Sequence, residues 1–246
     1  MLNTMHREED IQYIENESTA RPDWSPAPVQ ETELPREMVL HALPEMEEHS
    51  LPLRKLMAYY RCAMMEVETK FRVLDTEFSL QHDRNPIAAI KTRLKKMSSI
   101  TEKLVRYGFP LTVDSIEQNL SDIAGVRVVC SFPQDVSNLA EAFLAQDDVT
   151  LVTRKDYIAN PKPNGYRSLH LIVEVPIFLE KEKRTMRVEI QLRTIAMDCW
   201  ATLEHQLKYK KEVENAELLI EELRQCADLS AELDDRMDAI RKKAKQ

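Results

Sequence analysis

The sequence predicts an α+β fold, a mixed β-sheet flanked by helices at both ends. Long stretches with apolar residues at three- and four-residue spacing stand on either side of a central region. Within that region lie several short, apolar, β-branched runs. Strands and helices there do not alternate regularly enough for a doubly wound sheet. With 246 residues, 43% of them hydrophobic, the chain can bury a sizeable core as one domain or two small ones.

The first helix is expected over residues 53–80, where Leu56, Tyr59, Tyr60, Met64, Val67, Phe71 and Leu74 recur at helical spacing. Pro86 fits the first turn of a second helix running to about Lys96. A third helix ends near Gly108, with a capping box at Ser99 and Glu102 marking its restart, and a short helical turn follows Thr112. IAGVRVVCS (123–131) reads as a strand, residues 133–146 as a helix opened by Pro133, and LVTRKDY (151–157) as a strand. IANPKPNGYR (158–167) is a loop by its prolines, asparagines and glycine. LHLIVEVPIF (169–178) and TMRVEIQLR (185–193) are strands, and 195–210 and 215–243 are helices. The last helix, with Leu218, Leu219, Leu223, Leu229, Leu233 and Ile240, is a packed terminal helix or an oligomer seam.

Charge divides the chain. Residues 1–50 carry twelve acids against three bases, while the rest carry 30 acids against 31 bases. Six of the twelve prolines lie in the first 52 residues. This is the composition of a disordered or loosely packed acidic arm, so the organisation expected is an arm over 1–50, a folded domain over 51–214 and a terminal helix over 215–246. Mean hydropathy is −0.44 and no long apolar run exists, which excludes a membrane-spanning helix. The acidic, polar N-terminus does not read as a signal peptide. Cys62, Cys130, Cys199 and Cys226 form no C-x-x-C pair, so a reducing cytoplasm fits.

With three glycines, Gly108, Gly125 and Gly165, the chain has neither a Walker loop nor a dinucleotide fingerprint. Nucleotide phosphates would have to be held by side chains. Residues 84–107 offer seven bases, Arg84, Lys91, Arg93, Lys95, Lys96, Lys103 and Arg106, against the single acid Glu102. Such runs are commonly solvated helix faces. On one continuous helix, however, Lys95, Lys96, Ser99, Lys103 and Arg106 would share an arc of about 100°, enough to grip a polyphosphate. If the helix restarts at Ser99, only Ser99, Lys103 and Arg106 remain together.

Two carboxylates stand out. Asp122 immediately precedes a strand, and Glu189 lies within one. Alternation places Arg187, Glu189, Gln191 and Arg193 on one face, backed by Met186, Val188, Ile190 and Leu192. This is either a solvated sheet face or the floor of a cleft. In the second reading, paired carboxylates that bind magnesium beside a cationic clamp suit phosphoryl or pyrophosphoryl transfer. Asn164-Gly165 makes a tight turn that presents Tyr166 for stacking on a base, with Lys162, Arg167 and His170 near enough to meet phosphates. His82-Asp83 resembles a metal-hydrolase dipeptide but has no accompanying ligand array, and Glu204-His205 reads as surface or supporting structure.

KDYIANPKPNGYRSLH (155–170) followed by VEIQLRT (188–194) strongly resembles the synthetase domain of the RelA/SpoT family. NPIAAIKTRLKKMSSITEKL, SDIAGVRVVCSF and IAMDCWATLEHQLKYK fit the same pattern, so the resemblance covers roughly residues 55–240. The length is similar to that of small alarmone synthetases of RelQ type. The resemblance implies a nucleotidyltransferase-like fold and transfer of the β,γ-pyrophosphoryl group of ATP to the 3′-hydroxyl of GDP or GTP. The product, (p)ppGpp, is the stringent-response alarmone, and Mg2+ is the expected cofactor. By resemblance, Arg93 and Arg127 sandwich the adenine, while Lys95, Ser99, Lys103 and Arg106 hold ATP phosphates. Asp122 and Glu189 are the metal carboxylates, and Glu189 also takes the 3′-hydroxyl proton. Tyr166 stacks on guanine, and Lys162, Asn164, His170 and Gln191 contact the acceptor nucleotide. A cytoplasmic homotetramer is implied, with single-stranded RNA and allosteric (p)ppGpp as further partners of the class. The chain departs from that class in its long acidic arm, in Ala89 where product-activated members carry an aromatic, and in Asp198 where an amide can stand.

Two other readings use the same residues. A nucleotidyltransferase would adenylate its acceptor and release pyrophosphate. A nucleotide- or RNA-binding regulator would use the cations and Tyr166 but leave Glu189 without a task.

Overall fold

The computed structural model describes residues 50–82, 84–208 and 216–244. The arm, Asp83 of the His-Asp dipeptide and the 209–215 connection lie outside the described residues. The elements are α1 (Leu51–His82), β1 (Ile87–Leu94), α2 (Met97–Arg106), α3 (Val113–Asn119), β2 (Ala124–Cys130), α4 (Pro133–Leu144), β3 (Thr150–Asp156), β4 (Leu169–Phe178), β5 (Lys183–Thr194), α5 (Ile195–Lys208) and α6 (Ala216–Ala244). The five strands form one sheet in the order β1-β2-β5-β4-β3. Only the β2–β5 pair is parallel, so the sheet is mixed, as expected.

Two expectations fail. Residues 87–94 form an edge strand paired antiparallel with β2, not a helix. The register slips between Ile87 and Ala89, and this irregularity breaks the strict two-residue alternation. Ile87, Ile90 and Leu94 therefore mimic a helical period, in a segment whose alanines, lysine, arginine and leucine are also helix formers. Pairing along β2 overrides that local preference. The supposed continuous basic helix is thus a strand and a helix. Helix α2 begins at Met97 with Lys96 as its N-cap and no side-chain cap, so Ser99 and Glu102 form no capping box there. Its end is as expected: Gly108 takes φ 67°, and Gly108 and Phe109 donate to Val105 and Leu104 carbonyls, which closes the helix in a Schellman turn.

One face of the sheet is apolar. Val126 and Val128 of β2, Leu171 and Val173 of β4, and Val188 and Ile190 of β5 are fully buried there or nearly so. Helices α1 and α4 pack on those strands, and Phe71 of α1 stacks on Phe143 of α4 at 4.5 Å between ring centroids. Helix α5 packs against β2 and β5, and α6 packs against α5. Trp200 Nε1 of α5 ties the two by donating to the Leu223 carbonyl at 2.9 Å.

Candidate active site

The functional side chains stand on the face of the sheet opposite the apolar one. Register aligns them into two rows. Lys91, Arg127, Gln191 and His170 lie side by side across β1, β2, β5 and β4. In the next row Arg93 and Glu189 flank Gly125. Gly125 has no side chain to fill the gap, and a Cβ there would come within 3.4 Å of the Arg93 carbonyl oxygen. A cleft of about 560 Å³ opens over these rows, walled on one side by α5 through Ala201, Thr202, Glu204 and His205. Glu189, Gln191 and Arg193 of the β5 stripe are therefore cleft floor, while Arg187 pairs with Glu174 outside the cleft lining.

Asp122 lies just before β2, where Lys95 Nζ and Lys103 Nζ meet its Oδ2 at 2.6 and 2.9 Å. Its Oδ1 is buried and has no hydrogen-bond partner among the described residues. Burial works to raise the Asp122 carboxyl, but the hydrogen bonds and charges of the two lysines outweigh it and hold it below the usual value. Glu189 behaves alike. Burial raises it, yet the hydrogen bond and charge of His170, together with Gln191, bring it below its ordinary value. His170 Nδ1 faces Glu189 Oε1 at 3.4 Å, and Gln191 Nε2 donates to Oε2 at 3.3 Å.

Behind Glu189 a chain of polar groups continues. Arg193 Nη2 donates to Tyr166 Oη at 2.5 Å, and Tyr166 Oη lies 2.8 Å from His170 Nε2. Tyr166 itself is presented by the expected turn. Gly165 takes φ 86°, its N–H donates to the Lys162 carbonyl at 2.8 Å, and Asn164 Oδ1 accepts from Tyr166 N–H at 3.2 Å. The Lys162 ammonium sits 5.1 Å from the Tyr166 ring centroid, and Asn164 Nδ2 donates to Glu204 of α5 at 3.1 Å.

A model of a region found in RelA / SpoT proteins matches residues 92–214. The chain belongs to the RelA/SpoT family. It is 43% identical to the GTP pyrophosphokinase YwaC of Bacillus subtilis over 183 residues, 74% of this chain and 87% of YwaC. It is 38% identical to YjbM, another GTP pyrophosphokinase of that organism, over 74% of this chain and 85% of YjbM. Its fold matches the crystal structure of small alarmone synthetase 1 from B. subtilis bound to its product pppGpp, with TM-score 0.70 and 36% identity, covering 78% of this chain and 98% of that one. Small alarmone synthetase 2 of the same organism matches with TM-score 0.69 and 40% identity, over 77% and 98% of the two chains.

In this RelA/SpoT chain the cleft lining includes Arg93, Lys95, Asp122, Arg127, Tyr166, Glu189 and Gln191. His170 and Asn164 reach that set through Tyr166, Glu189 and Glu204, and Lys103 reaches it through Asp122. Ser99 and Arg106 flank Lys103 on one face of α2 but do not line the cleft. Sequence reasoning gave no task in the site to Gly125 or Asp198 and placed Arg193 only on the polar stripe, yet all three help build the site. The strand alternation that singled out Glu189 also marked Arg193, and pairing β1 with β2 would have marked Gly125. No cluster of three or more His, Cys, Asp or Glu side chains able to hold a metal occurs among the described residues.

Proposed function

We propose that the protein is a (p)ppGpp synthetase, transferring the β,γ-pyrophosphoryl group of ATP to the 3′-hydroxyl of GDP or GTP. One observation carries the reading beyond family membership: the half-buried Glu189, held between His170 and Gln191, shares a cationic cleft with Asp122, whose Oδ1 has no hydrogen-bond partner among the described residues. A binding module has no use for a carboxylate positioned in this way to take a proton.

In this mechanism Glu189 accepts the proton of the acceptor 3′-hydroxyl. The freed oxygen attacks the β-phosphorus of ATP, the bond from that phosphorus to the α,β-bridging oxygen breaks, and AMP leaves with the bridging oxygen. His170 and Gln191 hold Glu189 in place. Lys95 and Lys103 each keep ammonium protons beyond those given to Asp122, and these meet phosphate oxygens. Fixed cations stabilise the charge that shifts among those oxygens without reorganising. Arg93 and Arg127, on neighbouring strands, take the adenine, since planar guanidinium groups stack on aromatic faces. Tyr166 takes the guanine, and Lys162 and Asn164 line its approach.

Asp122 and Glu189 fit a magnesium ion: both are ionised oxygen donors, Asp122 Oδ1 has a free buried acceptor position, and magnesium needs only one or two carboxylates beside substrate phosphates. When bound, magnesium would neutralise phosphate charge and polarise the transferred group. The proposal extends to a cytoplasmic homotetramer, on the family resemblance.

The test is incubation of the full chain with magnesium, labelled ATP, and GDP or GTP, followed by anion-exchange separation. The wild type is expected to yield ppGpp or pppGpp, and Glu189→Gln none. Equal yields from the two would refute the assignment of the base.

A further inference from the structure

Asp198, in the first turn of α5, is 7% exposed and is surrounded by cations from three strands. Its Oδ2 accepts from Lys91 Nζ of β1 at 2.9 Å. Its Oδ1 serves two guanidinium groups at once, Arg127 Nη1 of β2 at 3.2 Å and Arg193 Nη1 of β5 at 3.4 Å. The same two arginines share a second acceptor. Gln191 Oε1 takes Arg193 Nη2 at 3.0 Å and Arg127 Nη2 at 3.5 Å. Two like charges are thus held beside each other on two shared oxygens, and two of the four bonds, at 3.4 and 3.5 Å, are longer than usual. Arg127 Nε is also buried without a hydrogen-bond partner among the described residues, so this guanidinium is incompletely satisfied where it stands.

The two arginines serve different halves of the site. Arg127 lies on the donor side, beside β1. Arg193 donates to the Tyr166 hydroxyl and so fixes the ring on the acceptor side. We propose that Asp198 is a positioning residue that couples the two nucleotide sites through these shared contacts, an inference that rests on the synthetase reading above. A purine stacked on Arg127 draws that guanidinium away from the shared oxygens. Asp198 Oδ1 and Gln191 Oε1 then pass to Arg193, whose bonds shorten, and Tyr166 is held more firmly for the acceptor base. Occupancy of the donor site therefore tightens the acceptor site, and linkage makes the effect reciprocal. Burial works to raise the Asp198 carboxyl, but Lys91, Arg127 and Arg193 keep it below its ordinary value, so the counter-charge is present at neutral pH.

The test is titration calorimetry of the full chain with GTP and magnesium, without and with saturating α,β-methylene ATP, which blocks transfer. In the wild type the analogue is expected to tighten GTP binding by about fivefold or more, the lower range of measured couplings. Asp198→Ala should bring that ratio to one while each nucleotide still binds alone. Asp198→Asn keeps an acceptor oxygen but loses the charge, and should give an intermediate ratio. A wild-type ratio of one, or a wild-type ratio retained in Asp198→Ala, overturns the coupling. If circular dichroism shows that Asp198→Ala does not fold, Asp198→Asn decides, and an unchanged ratio in it overturns the proposal. Failure of both nucleotides to bind the folded wild type would sink the synthetase reading as well, which separates the two failures.

Discussion

Glu189 illustrates how partial burial and ionisation are reconciled at a single residue. A buried carboxylate alone would favour its neutral form. Here His170 and Gln191 supply enough hydrogen bonding and charge to reverse that tendency, and the lysines do the same for Asp122. The direction has a consequence for stability. Both folded-state values lie below those of the unfolded chain, so their stabilisation is full above the unfolded values and is lost as pH falls through the folded ones. The thermal midpoint should therefore fall below about pH 4, and Glu189→Gln should fall less steeply, by circular dichroism melts across that range. Tyr166 makes a separate prediction. Loss of the ring in Tyr166→Ala removes base stacking and should raise the KM for GTP by about tenfold, with a smaller change for ATP. Steady-state kinetics with each substrate varied in turn checks this.

At the scale of elements, the site depends on two glycines for different reasons. Gly165 must be glycine because of its backbone: φ is 86°, and a Cβ would lie 2.5 Å from Ala227 Cβ of α6. Gly165→Ala should cost about 1–2 kcal/mol for the left-handed backbone alone, with more from displacing α6, read as a shift in urea midpoint. Gly125 has an ordinary backbone but faces the cleft. Gly125→Leu should keep the fold and lose nucleotide binding, measured by calorimetry beside circular dichroism. The strands that carry chemistry were legible because β2 is a short, apolar, β-branched run and β5 alternates: β4 and β5 place buried Leu171, Val173, Val188 and Ile190 opposite His170, Glu189 and Gln191. β1 was not legible, because a register slip on an edge strand destroys the alternation that identifies strands. The misreading mattered little for Lys95 and Lys103. They meet at Asp122 whether or not one helix carries both.

Across the whole molecule, one sheet separates stability from chemistry. Its apolar face carries α1 and α4, and the stacked Phe71 and Phe143 lie within that core. Phe71→Ala should destabilise by about 3–5 kcal/mol in urea unfolding, by loss of burial and creation of a cavity. The opposite face is held open by charged side chains, which the sequence announced as motifs but could not assemble. Asp198 and Arg193 are far from Lys91 and Arg127 in the chain, and only the parallel pairing of β2 with β5 brings them together. The central claim is that this face transfers a pyrophosphoryl group. It is tested most directly by following γ-labelled ATP with GTP and magnesium. The account predicts that label enters a 3′-pyrophosphorylated guanosine nucleotide, with AMP formed in equal amount. Adenylated acceptor with labelled free pyrophosphate, or no transfer by folded protein that binds both nucleotides, would contradict it.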